Sequence, residues 1–245
     1  MAGLVPAIRV FDSRRMGPNL STSQRAFFGR RKGHPLKPRQ AALFDMLLPR
    51  LAIDTSKPAP DDLRTLFAGA GEVRLEIGFG GAEHLIAQAK ASPQTGYIGS
   101  DAFVNGVAKA LTAIEEHKLG NVRLHFGDAS ELIDWLPQGG LARIDLLYPD
   151  PWPKRRHWKR RFIQDESLKR LARILKCGGE LRFATDIADY AVYALARVLR
   201  SKDFEWTAER ADDWRKPWAD FGGTRYETKA KREGRMPGYF VFRKI

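Results

Sequence analysis

Apolar positions along this chain follow two alternating periods from residue 73 onward. Short runs of β character occupy residues 73–77, 96–100, 122–126, 144–148 and 181–184. Between them apolar residues recur at helical spacing. They do so over 82–90, then at Val104, Val107, Ala108, Leu111 and Ile114, then over 162–175, where Ile163, Leu168, Leu171 and Ile174 share a face. The pair Gly178-Gly179 is read as the stop of that third helix. Asp186 is read as the cap of the next, which carries Ile187, Tyr190, Ala191, Ala194 and Val198. Two late strands, 204–206 and 239–242, are separated by a long charged loop in which no helix is foreseen. Strands alternating with helices predict an α/β fold, a doubly wound and mostly parallel sheet of seven strands. The late pair, lacking a crossover helix, predicts an antiparallel end to that sheet. No internal repeat is found.

Residues 1–39 carry no such period. Gly, Pro and Ser are frequent there, and the charges are mostly basic: Arg14, Arg15, Arg25, Arg30, Arg31, Lys32, Lys37 and Arg39. This reads as a flexible N-terminal arm that orders on a polyanion, with a solubilising tail as the plainer alternative. Residues 40–245 read as a single domain. A chain of 245 residues with 43% hydrophobic content can bury one sizeable core.

Charge narrows the choice of partner. With 42 Lys and Arg against 29 Asp and Glu, the net charge is +13, which calls for a polyanion such as nucleic acid or an anionic membrane surface. No apolar run approaches the ~18 residues of a spanning helix. The first ten residues lack the basic and apolar regions of a secretory signal. Cys177 is the sole cysteine, which excludes an internal disulfide and fits a reducing compartment, so a cytoplasmic protein is expected. The five histidines lack metal-ligand spacing, and no metal is expected.

The chemistry collects where predicted strands end. Glu76-Ile77-Gly78-Phe79-Gly80-Gly81-Ala82 closes the first strand and precedes a helix, the place where such sheets bind ligands. Asp101 ends the second strand, where an acid can hold ribose hydroxyls. Asp128 follows the third, where an adenine would rest. A nicotinamide dehydrogenase requires G-x-G-x-x-G, but this loop reads Gly78-x-Gly80-x-x-Glu83. A carboxylate at Glu76 repels a pyrophosphate and suits a ligand bearing an amine and a sulfonium, namely S-adenosylmethionine. Tight turns and helix caps explain each of these residues singly but not the series.

The fourth strand leads into Tyr148-Pro149-Asp150-Pro151-Trp152-Pro153-Lys154 and then Arg155, Arg156, His157, Trp158, Lys159, Arg160 and Arg161. Prolines stiffen this segment, since each fixes φ and removes an N–H. A rigid carboxylate beside an indole suits a nucleobase, and the basic run suits its phosphates.

These residues resemble the bacterial tRNA (guanine-N7-)-methyltransferase family. The matching stretches are Gly29-Arg30-Arg31-Lys32-Gly33-His34 through Pro38-Arg39-Gln40, the Leu75–Gly80 loop, Tyr148-Pro149-Asp150-Pro151-Trp152 with Lys154, Ala184-Thr185-Asp186, and Thr224-Arg225-Tyr226-Glu227. The first ~20 residues match no part of the family pattern, and a start codon set too far upstream is the expected reason. The resemblance implies a Rossmann-like, seven-stranded, S-adenosylmethionine-dependent methyltransferase domain that acts on N7 of the variable-loop guanine of tRNA, as a monomer or homodimer. It implies donor binding by Glu76, Gly78, Gly80, Asp101, Asp128 and Asp150, with Asp150 catalytic. It implies substrate binding by Lys154, Asp186, Thr224, Arg225, Tyr226 and Glu227. Two positions depart from the family pattern. Ala82 replaces a frequent glycine and is expected to narrow the donor pocket, and Asp101 replaces a more usual Glu, whose longer arm would reach the ribose directly. Two other readings stand beside this one. One is methylation of an exocyclic amine, whose acid-Pro-Pro-aromatic motif Asp150-Pro151-Trp152 partly echoes. The other is a non-catalytic RNA-binding protein on the same fold.

Overall fold

The computed structural model describes Gly29 and residues 31–245. Most of the predicted arm, residues 1–28 and Arg30, lies outside the described residues. Its last stretch is tied to the start of a later helix. The Arg31 carbonyl accepts from Val104 N at 3.0 Å, Gly33 N donates to Asn105 Oδ1 at 2.7 Å, and Asn105 Nδ2 donates to the His34 carbonyl at 2.8 Å.

Two helices then precede the sheet, α1 (Pro38–Met46) and α2 (Leu48–Leu51). The alternation follows as β1 (Glu72–Ile77), α3 (Glu83–Ala91), β2 (Thr95–Asp101), α4 (Val104–His117), β3 (Val122–Phe126), α5 (Ala129–Trp135) and β4 (Leu141–Leu147). After a 3-10 turn (Arg155–Arg160) come α6 (Asp165–Ile174), β5 (Leu175–Thr185), α7 (Ala188–Val198), β6 (Phe204–Trp206), α8 (Asp212–Arg215), α9 (Arg225–Arg232) and β7 (Gly238–Lys244). The seven strands lie in the order β3-β2-β1-β4-β5-β7-β6. All neighbours from β3 to β5 pair in parallel, and β7 runs antiparallel to both β5 and β6. The antiparallel end is therefore as predicted, although α8 and α9 do lie between β6 and β7. The strand order reverses between β1 and β4, which opens a crevice beyond their carboxyl ends.

The alternation within β1 explains the layering. Val73, Leu75 and Ile77 turn to one face, where they join Ile144, Leu146, Leu181, Phe183, Phe240 and Phe242 beneath α5, α6 and α7. On the other face, Leu85, Ile86, Val107, Leu111 and Ile114 from α3 and α4 cover Tyr97, Val122 and Leu124. Beyond β1 that second face turns polar: Arg74 and Glu76 register with Arg143 and Asp145 on β4, and Asp145 with Arg182 on β5.

Three local expectations need correction. The third helix ends at Ile174, and β5 begins at once, so Gly178 and Gly179 lie inside the strand. Gly178 has φ +73, and the pairing of β4 with β5 shifts register between Leu141 and Arg143, so the pair serves a bulge and not a helix stop. Asp186 does not cap α7. The helix has Ile187 at its cap position with no side-chain cap bond, and Asp186 accepts instead from Arg235 Nε at 2.6 Å. The helices α5, α8 and α9 were not foreseen, because each is short and α9 (Arg-Tyr-Glu-Thr-Lys-Ala-Lys-Arg) buries only Glu227 and Ala230.

Candidate active site

The glycine loop is shaped by backbone that other residues rarely adopt. Gly78 and Gly80 have φ of +70 and +56. Gly106 of α4 permits a close approach from the far side, since a Cβ there would stand 2.2 Å from the Gly80 carbonyl oxygen. Ala82 also lies in the left-handed region, at φ +65, and its methyl is buried. It packs with the α3–α4 cluster and not in the crevice, so it does not narrow the ligand space as expected.

Each acid of the series stands at a strand end, and each is fixed differently. Glu76 is buried, and its Oε2 lies 2.8 Å from Nδ1 of His84 in α3. An ionised carboxylate can only accept, so Nδ1 carries the hydrogen. Burial lifts the Glu76 carboxyl above its usual range, and the His84 pairing pulls part of that back. Burial opposes the His84 cation, yet the adjacent Glu76 charge leaves its pKa raised. Asp101 braces the loop with both oxygens: Oδ2 accepts from Gly80 N at 2.7 Å and Oδ1 from Phe103 N at 2.8 Å. Its carboxyl is raised by burial, against the pull of those backbone bonds. The short arm of Asp101 thus meets the loop directly, and its remaining lone pairs stay available. Asp128 caps α5, accepting from Ser130 N at 2.8 Å.

Asp150, past the end of β4, has no hydrogen-bonding partner among the described residues. It is exposed next to the carboxyl end of β4, and surrounding protein mass pushes its carboxyl up. The loop that carries it is strained on both sides. Tyr148 and Trp152 have φ of +50 and +44, and each precedes a proline. Bulky residues seldom adopt that region, and such conformers persist where the surroundings over-determine them. Arg160 lies over the Trp152 ring at 5.0 Å, and His157 meets its edge at 5.9 Å.

The basic run divides. Lys154, Arg155, Arg156 and Lys159 are exposed on the 3-10 turn, a suitable face for phosphates. Arg161 is buried and points inward, a correction to reading the whole run as one surface.

The Thr224–Glu227 stretch reaches the same crevice from far along the chain. A Cβ on Gly80 would lie 3.4 Å from Arg225 Nη2 and 3.4 Å from Tyr226 Cε2. Thr224 caps α9, its hydroxyl accepting from Glu227 N at 3.0 Å. Glu227 is buried and accepts from the Tyr239 hydroxyl at 2.6 Å. Within this group Arg225 and Tyr226 face the loop, while Thr224 and Glu227 hold them there.

Sequence reasoning missed the clasp that brings α9 in. Asp220 accepts from Arg143 Nη1 at 2.7 Å and Arg182 Nη1 at 2.6 Å, and Gln88 of α3 donates to its carbonyl. Arg143 is itself buried, with Nε 3.0 Å from Asp145 and Nη2 2.6 Å from Gln88 Oε1. Arg182 and Arg143 hold the Asp220 carboxyl down at about 2, overcoming the upward effect of burial. A signal existed: Arg143-x-Asp145 places two charges in a central strand of a parallel sheet, where apolar residues are the rule. Phe221, next in the chain, packs on His84 at 5.4 Å and on Tyr239 at 5.4 Å. His84, Asn105 and Gly106 were missed too, although Gly106 inside a helical pattern is a recognised mark of close approach.

In chemical terms four carboxylates stand at neighbouring strand ends, and an exposed cationic turn follows the fourth, Asp150, in the chain. This arrangement fits a ligand with an ammonium and hydroxyls, held beside a polyanion. Among the described residues no His, Cys, Asp or Glu group is arranged to hold a metal, and no helix is long and apolar enough to cross a membrane.

Known proteins match this picture. A family described as "Putative methyltransferase" matches residues 70–237. A tRNA (guanine-N(7)-)-methyltransferase of Rhodopseudomonas palustris (strain BisB18) is 60% identical over 222 residues, covering 90% of this chain and 88% of its own. One from Bradyrhizobium diazoefficiens is 54% identical over 234 residues, covering 95% and 99%. The solved structure of the 16S rRNA methyltransferase KamB aligns with a TM-score of 0.52 at 14% identity, over 77% of this chain and 94% of that one, and shares the fold. The chain belongs to the tRNA (guanine-N7-)-methyltransferase family.

Proposed function

We propose that this member of the family transfers a methyl group from S-adenosylmethionine to N7 of a variable-loop guanine in tRNA, giving 7-methylguanosine. The observation that carries the reading is the row of carboxylates Glu76, Asp101, Asp128 and Asp150 at neighbouring strand ends, beside the exposed cations Lys154 to Lys159. The names of the relatives supply the substrate class and the atom.

S-adenosylmethionine supplies the methyl group as a sulfonium. Glu76, braced by His84, would take its ammonium, Asp101 its ribose hydroxyls and Asp128 its adenine end, while Gly78 and Gly80 allow close backbone approach. Guanine N7 has a lone pair and no proton near neutral pH, so no base is required to free the nucleophile. The protein has to align the reactants and hold a cation among acids. We assign that role to Asp150, which lies past the end of β4 and has no hydrogen-bonding partner among the described residues. Lys154, Arg155, Arg156 and Lys159 would hold phosphates. Arg225 and Tyr226 would face the target nucleoside, with Thr224 and Glu227 as their frame and Asp186 anchoring Arg235 nearby. The enzyme would act in the cytoplasm as a monomer or homodimer, and no metal is invoked.

Incubation with labelled methyl donor and unmodified tRNA, followed by nucleoside analysis, tests the reading. Label should appear in 7-methylguanosine and vanish when the variable-loop guanine is replaced. Label on an exocyclic amine would sink it, as would tRNA binding without donor binding. Sedimentation with and without tRNA would expose any assembly larger than a dimer.

A further inference from the structure

Arg161 ends the basic run but takes no part in its surface. It is 1% exposed, and its guanidinium sits among three aromatic rings, 4.7 Å from the centroid of Trp158, 4.9 Å from Tyr190 and 4.6 Å from Tyr193. Nη2 pairs with Asp189 on α7, and Nε donates to the Pro151 carbonyl at 2.7 Å. Nη1 is buried with no hydrogen-bonding partner among the described residues, so the buried cation is held by Asp189, by the rings and by the carbonyl of the loop that bears Asp150.

The Tyr148 N–H holds the start of that loop, donating to the Ala184 carbonyl at 2.8 Å. Pro149, Pro151 and Pro153 carry no N–H, so at these alternate positions the backbone can be held only by its carbonyls. The Pro151 carbonyl belongs to the peptide that joins Pro151 to Trp152, whose orientation helps set the left-handed φ of +44 at Trp152. With Tyr148 at φ +50, both flanks of Asp150 are strained, and something rigid must over-determine them. The cation is anchored by α7 through Asp189, Tyr190 and Tyr193, which supplies that rigidity.

We propose that Arg161 is a positioning residue for methyl transfer. By holding the Pro151 carbonyl, it fixes the strained loop and the approach of the Asp150 carboxylate to the crevice. The proposal rests on the reading of Asp150 as the aligning group. It also removes Arg161 from the phosphate-binding set.

A double-mutant cycle tests it. Arg161→Lys keeps a cation but loses the planar fork that reaches Pro151 and Asp189 together. Its kcat should fall about 30-fold, as small misplacements of reacting groups allow, while tRNA affinity and donor KM stay within about twofold. Asp150→Asn alone should lower kcat about 100-fold. Adding Arg161→Lys to it should lower the rate less than about threefold further, because the two act as one unit. Full additivity of the losses would overturn the proposal, and so would a salt-dependent fall in tRNA affinity for Arg161→Lys. Full activity in Asp150→Asn would instead overturn the Asp150 reading beneath it. Should Arg161→Lys fail to fold, Asp189→Asn carries the same cycle, since it leaves the guanidinium in place. A several-fold loss that disappears in the Asp150→Asn background supports the proposal, and an additive loss refutes it.

Discussion

The two halves of the crevice are built by opposite means. On the β1–β3 side the acids stand on strand ends, and their positions follow from the alternation of strand and helix. Glu76 leans on His84 eight residues away, Asp101 on Gly80 and Phe103, and Asp128 on Ser130. On the β4–β7 side the holding contacts reach as far as 77 residues along the chain, from Arg143 to Asp220, against at most 21 for the acids of the first half, from Gly80 to Asp101. Pro151 is held by Arg161 and α7, and the Thr224–Glu227 stretch by Asp220, Arg143, Arg182 and Tyr239. On the proposed reading, the first half would place a small ligand with local structure, and the second would place a macromolecular substrate with long-range polar contacts that include two buried arginines. Perturbation should therefore be graded: severe at the buried arginines, moderate at the exposed cations, and slight in the locally determined half.

The sharpest test of that ordering is Arg143→Met. It leaves Asp145 buried without its partner and removes one of the three arginines paired with Asp220, the others being Arg182 and, at 3.9 Å, Arg74. Breaking a buried pair from one side costs about 3 kcal/mol or more. Urea unfolding should show that loss with an unchanged slope. A change below about 1 kcal/mol would mean that the clasp is not a structural centre.

The same contrast governs what could be read without coordinates. Seven strands, the antiparallel end and the acid series were legible, because period and strand-end position are local properties. The helices α5, α8 and α9 were not, since each is shorter than three turns and α9 is polar on nearly every side. The inward turn of Arg161 was invisible, because nothing in Arg155 to Arg161 separates one arginine from its neighbours until Tyr190 and Tyr193 arrive from α7. Asp186 misled for a similar reason: an acid before a helix suggests a cap, and Arg235, 49 residues on, takes its carboxylate instead.

At the exposed cations the expected effect is on binding. Replacing Arg155 and Arg156 by Glu should weaken tRNA affinity about tenfold or more near physiological salt and make its salt dependence shallower by about one to two in log–log slope. Folding should be untouched, since both side chains are exposed. A loss that does not vary with salt would argue against phosphate contact.

Asp220 gives a smaller effect with a defined sign. Its folded pKa of about 2 lies below its ordinary 3.8, so the folded state is the weaker proton binder. The clasp's contribution is therefore complete above about pH 4 and is lost as pH falls toward 2. Its side chain is 45% exposed, so solvent screening keeps the contribution small. Asp220→Asn should flatten the acid limb of a stability–pH profile between those values and leave the neutral region nearly parallel to the parent. An acid limb identical to that of the parent would remove Asp220 from the acid response.

The smallest change belongs to the locally determined half, at Ala82. A left-handed alanine is strained by about 1–2 kcal/mol, which glycine would relieve. Against that, Ala82→Gly deletes a buried methyl worth about 0.8 kcal/mol and loosens the unfolded chain by about 0.4–1 kcal/mol. The terms nearly cancel, and stability should move by no more than about 0.5 kcal/mol in either direction. Donor KM should not change, because the methyl is only 1% exposed and packs against α3 and α4 instead of lining the crevice. A several-fold fall in donor KM would show that this methyl does reach the ligand space, and that the β1–β3 half is less self-contained than its short-range contacts indicate.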